Sequence, residues 1–207
     1  MALLDVNKLS IHFGGVKAVQ EVSFSIDAGI VYAVIGPNGA GKTTLFNLIT
    51  GVYKPTSGEI RLDGESIGGK SPNELAVRGV ARTFQNLQIC MNMSAIENVM
   101  VGAHLRLDRN LLKAALRLPT LTRRDAEMRA EAAELMRFVG LEKYIEARAD
   151  SMPYGALKRL EIARALAMKP RLIFLDEPAA GLNPKETIEV DELIRKVADS
   201  GITVVLV

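Results

Sequence analysis

A single cysteine, Cys90, in 207 residues rules out an intrachain disulfide and any zinc cluster built from cysteines. Histidine is nearly as scarce, with His12 and His104 the only two. Long apolar runs are also missing. Ile30–Ile35 and Ile202–Val207 are the conspicuous ones, and both fall far short of the about 20 residues that a membrane span needs. No secretory leader is evident at the start, because Asp5 and Lys8 interrupt the first apolar run. The sequence therefore reads as a soluble chain expected in the cytoplasm, with any membrane association made through a partner. An excess of one charge is lacking as well: 26 Lys and Arg against 24 Asp and Glu leave a net charge of +2. Bulk electrostatics thus give no reason to expect nucleic acid as a partner. Basic residues do gather between Arg106 and Arg137, but acids from Asp108 to Glu134 are interleaved with them, which predicts a solvated helical face.

What is present is an ordinary globular balance of 48% hydrophobic and 24% charged residues, in a length near that of one large domain. Leu3–Ile11, Val22–Ile26 and Val31–Ile35 read as short strands, separated by Gly14-Gly15 and by Asp27–Gly29. A helix is predicted from about Lys42 to Thr50, stopped by Gly51, followed by a strand Glu59–Leu62 and an Asp63-Gly64 turn. The middle changes character. Ser94 and Glu97 fit a capping box, and Met128, Ala132, Leu135 and Val139 recur at helical spacing before Gly140. Pro119 is expected to break this helical region, about Gln88–Leu160, into pieces. Alternation then returns: a helix Ala156–Met168, a buried strand Leu172–Leu175, a helix from Pro184 to about Ala198 capped by Asn183, and a last strand Ile202–Val207. Strands alternating with helices imply a parallel sheet with helices on both faces, hence an α/β fold.

Gly36-Pro37-Asn38-Gly39-Ala40-Gly41-Lys42-Thr43 satisfies G-x-x-x-x-G-K-[ST] between a predicted strand and a predicted helix. Glycines let the backbone curl so that successive N–H groups point at a phosphate, and the following helix adds its positive end. Lys42 is placed to reach the β- and γ-phosphates of ATP and Thr43 to hold Mg²⁺. The bland alternative is a glycine-rich turn with a capping threonine. Leu172–Leu175 ends in Asp176-Glu177. A buried parallel strand delivers such residues to the ligand-binding edge of a sheet, where Asp176 suits the Mg²⁺ side and Glu177 the base that orients the attacking water.

Gly36–Thr44, Thr83-Phe84-Gln85-Asn86, Tyr154-Gly155 ahead of Arg159–Arg164, and Asp176-Glu177-Pro178 stand in the order found in ATP-binding-cassette ATPases, which the chain resembles over essentially its whole length. Phe13–Val19 and Asp176–Pro184 resemble the branch that serves branched-chain amino-acid importers; the lipopolysaccharide-export ATPase shares much of the pattern. The resemblance implies a P-loop NTPase fold: a parallel sheet with an antiparallel β subdomain and an inserted helical subdomain. Residues 1–87 and 161–207 would form the catalytic core of a single 1–207 nucleotide-binding domain, and 88–160 the helical subdomain. It implies a nucleotide site of Phe13, which stacks on adenine or else is plain core, with Ala18, Gly36, Pro37, Asn38, Gly39, Ala40, Gly41, Lys42, Thr43 and Thr44. It also implies that Gln85 touches Mg²⁺ and the attacking water, and that Tyr154 and Gly155 contact the nucleotide of an opposing subunit. The implied partners are a second such subunit, integral permease subunits at the inner face of the membrane and, indirectly, a substrate-binding protein.

Two departures from the family pattern stand out. The signature loop, usually Leu-Ser-Gly-Gly-Gln, here reads Met152-Pro153-Tyr154-Gly155-Ala156, and Pro153 has neither hydroxyl nor N–H. The site completed by this loop is therefore expected to be weaker than the family norm. The family's switch histidine has no counterpart before Val207, so the chain is expected to be a truncated form whose turnover is in doubt. Rival readings are a cassette of DNA repair or translation, an ATP-binding module without turnover, and a lipid or lipopolysaccharide exporter subunit.

Overall fold

The computed structural model of the chain describes residues 2–106 and 119–207. In chain order it begins with β1 (Ala2–Phe13), β2 (Val16–Asp27), β3 (Val31–Ala33), α1 (Lys42–Ile49), β4 (Ser57–Leu62), β5 (Glu65–Ser66), α2 (Pro72–Val77) and β6 (Val80–Arg82). It continues with α3 (Ala95–Gly102), α4 (Pro119–Phe138), α5 (Tyr154–Leu166), β7 (Leu172–Leu175), α6 (Pro184–Asp199) and β8 (Thr203–Leu206). Two compact units result: Met1–Gln85 with Pro170–Ala180 and Ile188–Val207, and Asn86–Lys169 with Gly181–Thr187.

In the first unit, β1 and β2 form a long antiparallel hairpin, and β4 and β5 extend it in the order β2-β1-β4-β5. Lys8 takes φ 45° at a register shift between Val6 and Leu9. This irregularity breaks the two-residue alternation, so that both Val6 and Leu9 are buried. The second sheet is wholly parallel, in the order β3-β8-β7-β6. Its strand β7 is buried at every position, as a continuous apolar run in a parallel sheet requires. Phe46 of α1 meets Phe174 of β7 edge-on at 4.9 Å, and with Leu4, Ile60 and Val205 these rings belong to one core shared by the two sheets and α1.

Several boundaries differ from the sequence expectation for local reasons. Strand β3 stops at Ala33 because its partner β8 ends at Leu206; Val34 makes one last bond to Leu206, and Ile35 is 91% exposed. The helix expected to reach about Thr50 ends at Ile49, with Thr50 as its C-cap, where both the Thr50 N–H and its hydroxyl donate to the Phe46 carbonyl. Three elements were unforeseen: β5, β6 and α2, the last opened by a Ser71–Glu74 capping box.

In the second unit, α3 starts with the expected capping box of Ser94 and Glu97. Met128, Ala132 and Met136 are buried along α4 and Val139 just past its end, with Leu135 half-buried. Pro119 is the first residue of this helix, a position that tolerates its missing N–H. Residues 107–118 of the expected helical, mixed-charge stretch lie outside the described residues. The span after Gly140, which takes φ 71°, is not continuous helix but two 3₁₀ turns, Glu142–Tyr144 and Ala149–Ser151, with a bridge from Ser94 to Arg148. The expected core boundary at residue 160 falls inside α5, a single helix, so that residues 161–169 group with the helical unit.

Candidate functional site

Because the second sheet is parallel, the C-terminal ends of β3, β6 and β7 share one edge, and the chemistry-bearing residues emerge there. Strand β3 leads into Gly36–Gly41, of which Pro37, Asn38, Gly39 and Ala40 are exposed. Gly41, at φ 82°, caps α1. A Cβ there would lie 2.5 Å from the carbonyl oxygen of Ala18, so β2 fits this position only with glycine. Ala18 thus bounds the loop through its backbone. Lys42 donates from Nζ to the carbonyl oxygens of Gly36 (2.7 Å) and Pro37 (2.9 Å), folding its charge over the loop. Thr43 is exposed on the first turn of α1 and Thr44 half-buried beside it.

From β7, Asp176 is buried and Glu177 exposed. The Asp176 N–H donates to the Thr83 hydroxyl (3.3 Å), and the Glu177 N–H to the Val207 carbonyl (3.2 Å). Glu177 takes φ 47°, the left-handed region that costs a side chain roughly 1–3 kcal/mol. Gln85, just past β6, donates from Nε2 to Glu177 Oε2 at 3.1 Å. The two residues expected to handle the attacking water are therefore side by side.

Asp176 has a partner that the sequence did not disclose. Arg82, the last residue of β6, donates from Nη2 to Asp176 Oδ2 at 3.1 Å, with both side chains under a tenth exposed. Its Nη1 donates to Asn47 Oδ1 (2.6 Å) and Thr50 Oγ1 (2.9 Å) on α1. The signal available in the sequence was a lone arginine ending an apolar stretch, Val80-Ala81, next to Thr83-Phe84-Gln85.

Phe13 is 45% exposed at the hairpin tip and meets Tyr53 edge-on at 5.3 Å, which removes the plain-core reading of this ring. Tyr154 and Gly155 belong to the second unit. There Pro153 is the N-cap of α5, with no side-chain cap bond, and Tyr154 is 44% exposed. The Glu186 carboxylate lies against Gly155, where any Cβ would collide with it. Glu186 and Asn183 cap α6 reciprocally: the Glu186 N–H donates to Asn183 Oδ1 (2.9 Å) and the Asn183 N–H to Glu186 Oε2 (3.1 Å).

Among the described residues, no cluster of three or more His, Cys, Asp or Glu could hold a metal unaided. The donors at this edge are oxygens, a threonine hydroxyl and a carboxylate. Such a set suits Mg²⁺, which is bound through one or two protein oxygens together with substrate phosphates.

A curled glycine loop between a parallel strand and a helix, with an acidic pair on a nearby strand of the same sheet, defines a phosphate-loop nucleotide-binding domain. Residues 19–180 match the ABC transporter family. Two relatives are alike over 99% of the chain. One is the high-affinity branched-chain amino acid transport ATP-binding protein BraF of Pseudomonas aeruginosa, 44% identical over 206 residues and 81% of its own length. The other is LivG of Escherichia coli K12, of the same description, 42% identical over 204 residues and 80% of its length. Among solved structures, an ATP-binding cassette of an ABC transporter in its ADP conformation superposes with a TM-score of 0.83 at 29% identity, covering all of this chain and 80% of the other. The chain belongs to the ABC transporter family, as an ATP-binding cassette. Among its described residues no helix is long and apolar enough to cross a membrane.

Proposed function

We propose that this cassette hydrolyses ATP to power import of branched-chain amino acids. It would work as one of two opposed ATPase subunits docked on the inner face of a membrane permease that a substrate-binding protein supplies. The observation that carries the hydrolytic part is the meeting at one sheet edge of the glycine loop, the Asp176-Glu177 pair and Gln85, with Gln85 bonded to Glu177 at 3.1 Å. The substrate class is supported by the 44% and 42% identity to transport proteins so described.

The loop N–H groups and the N-terminus of α1 would cradle the phosphates. Lys42, now bonded to two loop carbonyls, would turn its charge to the β- and γ-phosphates. Phe13 stands exposed where an adenine ring could stack, with Ala18 beside the loop. Thr43, Asp176 and Gln85 would hold Mg²⁺, which neutralises charge on the phosphates when bound. Glu177 and Gln85 would orient the attacking water, with Glu177 accepting its proton. Tyr154 and Gly155, at the start of α5, would face the nucleotide bound by the opposing subunit. Catalysis of this kind is positioning plus electrostatics, so loss of one group costs orders of magnitude in rate.

Phosphate release from MgATP, measured for wild type and Glu177→Gln with ATP binding followed in parallel, tests this. Turnover that falls at least about a hundredfold in the variant while binding persists supports it. Binding without turnover in wild type would leave an ATP-binding module only, and no binding would overturn the reading.

A further inference from the structure

We propose that Arg82 is a positioning residue of the ATPase site: it fixes the Asp176 carboxylate relative to the face of α1 that carries Thr43, and so sets how well the divalent cation is held. This inference rests on the nucleotide-binding reading above. Asn47 and Thr50 lie four and seven residues after Thr43 in sequence, so Thr43, Asn47 and Thr50 lie along one face of α1 and its cap. Arg82 spans from that face, through Nη1, to Asp176 Oδ2, through Nη2. One rigid guanidinium therefore references both residues on the metal side, the Thr43 hydroxyl through its helix and Asp176 directly. Mg²⁺ demands near-ideal octahedral geometry, so the placement of such oxygens matters more than their number.

Two further observations separate this role from ordinary stabilisation. A buried ion pair contributes little over an apolar filler of the same size, so the Arg82–Asp176 pair is weak evidence for a purely stabilising role. Among the described residues, Arg82 Nε is also the buried side-chain nitrogen or oxygen left with no hydrogen-bond partner. The fork is held in place for its two Nη groups at the expense of Nε, against the general rule that buried donors are paired. The rings of Phe46 and Phe84, 5.9 Å and 5.3 Å from the guanidinium carbon, flank it in that pose. Lysine, a point charge, cannot reproduce the span.

The test is Mn²⁺ binding followed by electron paramagnetic resonance in the presence of ATP, beside ATP binding in EDTA, for the full chain. In Arg82→Met the Mn²⁺ dissociation constant is expected to rise at least tenfold while ATP affinity in EDTA stays within threefold. Arg82→Lys should fall between wild type and Arg82→Met. Because Arg82→Met strands a buried carboxylate, the same step is also made in an Asp176→Asn background, where no carboxylate is left unpaired and the double variant is neutral. There the substitution is expected to change the Mn²⁺ constant less than twofold, since its effect passes through Asp176. Equal loss of ATP affinity with and without metal, or an Arg82→Met effect of the same size in both backgrounds, would overturn the proposal. Wild type that binds no ATP even in EDTA would instead sink the nucleotide-binding reading and this inference with it.

Discussion

At the scale of single residues, the edge that carries the proposed site holds a conformation that costs stability. Glu177 holds φ 47° one residue beyond the Asp176 that follows an entirely buried strand, and its N–H is tied to Val207. Glycine at this position would relax the backbone but remove the carboxylate. Glu177→Gly is therefore expected to unfold at higher urea, by about 1 kcal/mol, while phosphate release disappears. Unchanged or reduced stability in urea titrations would mean that the φ is not strained. The same scale shows what was legible. The loop from Gly36 to Thr43 and the acids Asp176-Glu177 are runs of adjacent residues, so their chemistry is visible in one dimension. The Arg82–Asp176 pair joins positions 94 apart through the packing of β6 beside β7. No local pattern announces such a pair.

Elements follow the same division. Punctuation made two helices readable, α3 from Ser94 and Glu97 and α6 from Asn183 and Pro184, whereas α2 was missed despite its Ser71–Glu74 box because six residues carry too little periodicity. Strands β5 and β6, two and three residues long, were missed too, because a run that short carries no period, and their existence depends on partners far along the chain. The capping boxes also set how α2 and α3 respond to acid. The backbone N–H of Ser94, then its hydroxyl, holds the Glu97 carboxyl below the usual carboxylate range, and Ser71 does the same for Glu74. A folded pKa lowered in this way contributes stability that is present above the unfolded value of about 4.3 and lost as pH falls through the folded value. The double variant Glu74→Gln, Glu97→Gln should thus lose less stability than wild type on acidification below about pH 4.3, and differ most from it above. Urea midpoints against pH would show parallel curves if the boxes contribute nothing.

For the whole molecule, the sequence read the class of fold correctly because three separated signals agree: the glycine loop, the buried β7 and the helical middle between them. The division into units was less legible. A seven-residue piece, Gly181–Thr187, groups with the helical unit although it lies in sequence between two pieces of the core. That grouping follows from contacts such as Glu186 against Gly155 and the Tyr154 ring against Gly181, all formed by residues far apart in the chain. It places the start of α5 and the capping turn of α6 together in one unit, and the glycine loop, Asp176 and Glu177 in the other. If Tyr154 and Gly155 serve an opposing subunit, as proposed, ATP should be felt by the two units under different conditions. Amide hydrogen exchange of Glu177→Gln with ATP is expected to slow at residues 36–44 at every protein concentration. Residues 153–157 should slow only as concentration rises into the range where light scattering detects dimers. Protection of residues 153–157 in the dilute monomer, tracking that of the glycine loop, would mean that these residues respond to nucleotide within one chain, and the two-subunit site would have to be abandoned. Protection of neither segment in the concentrated sample, with ATP bound, would remove the glycine loop itself from the nucleotide site.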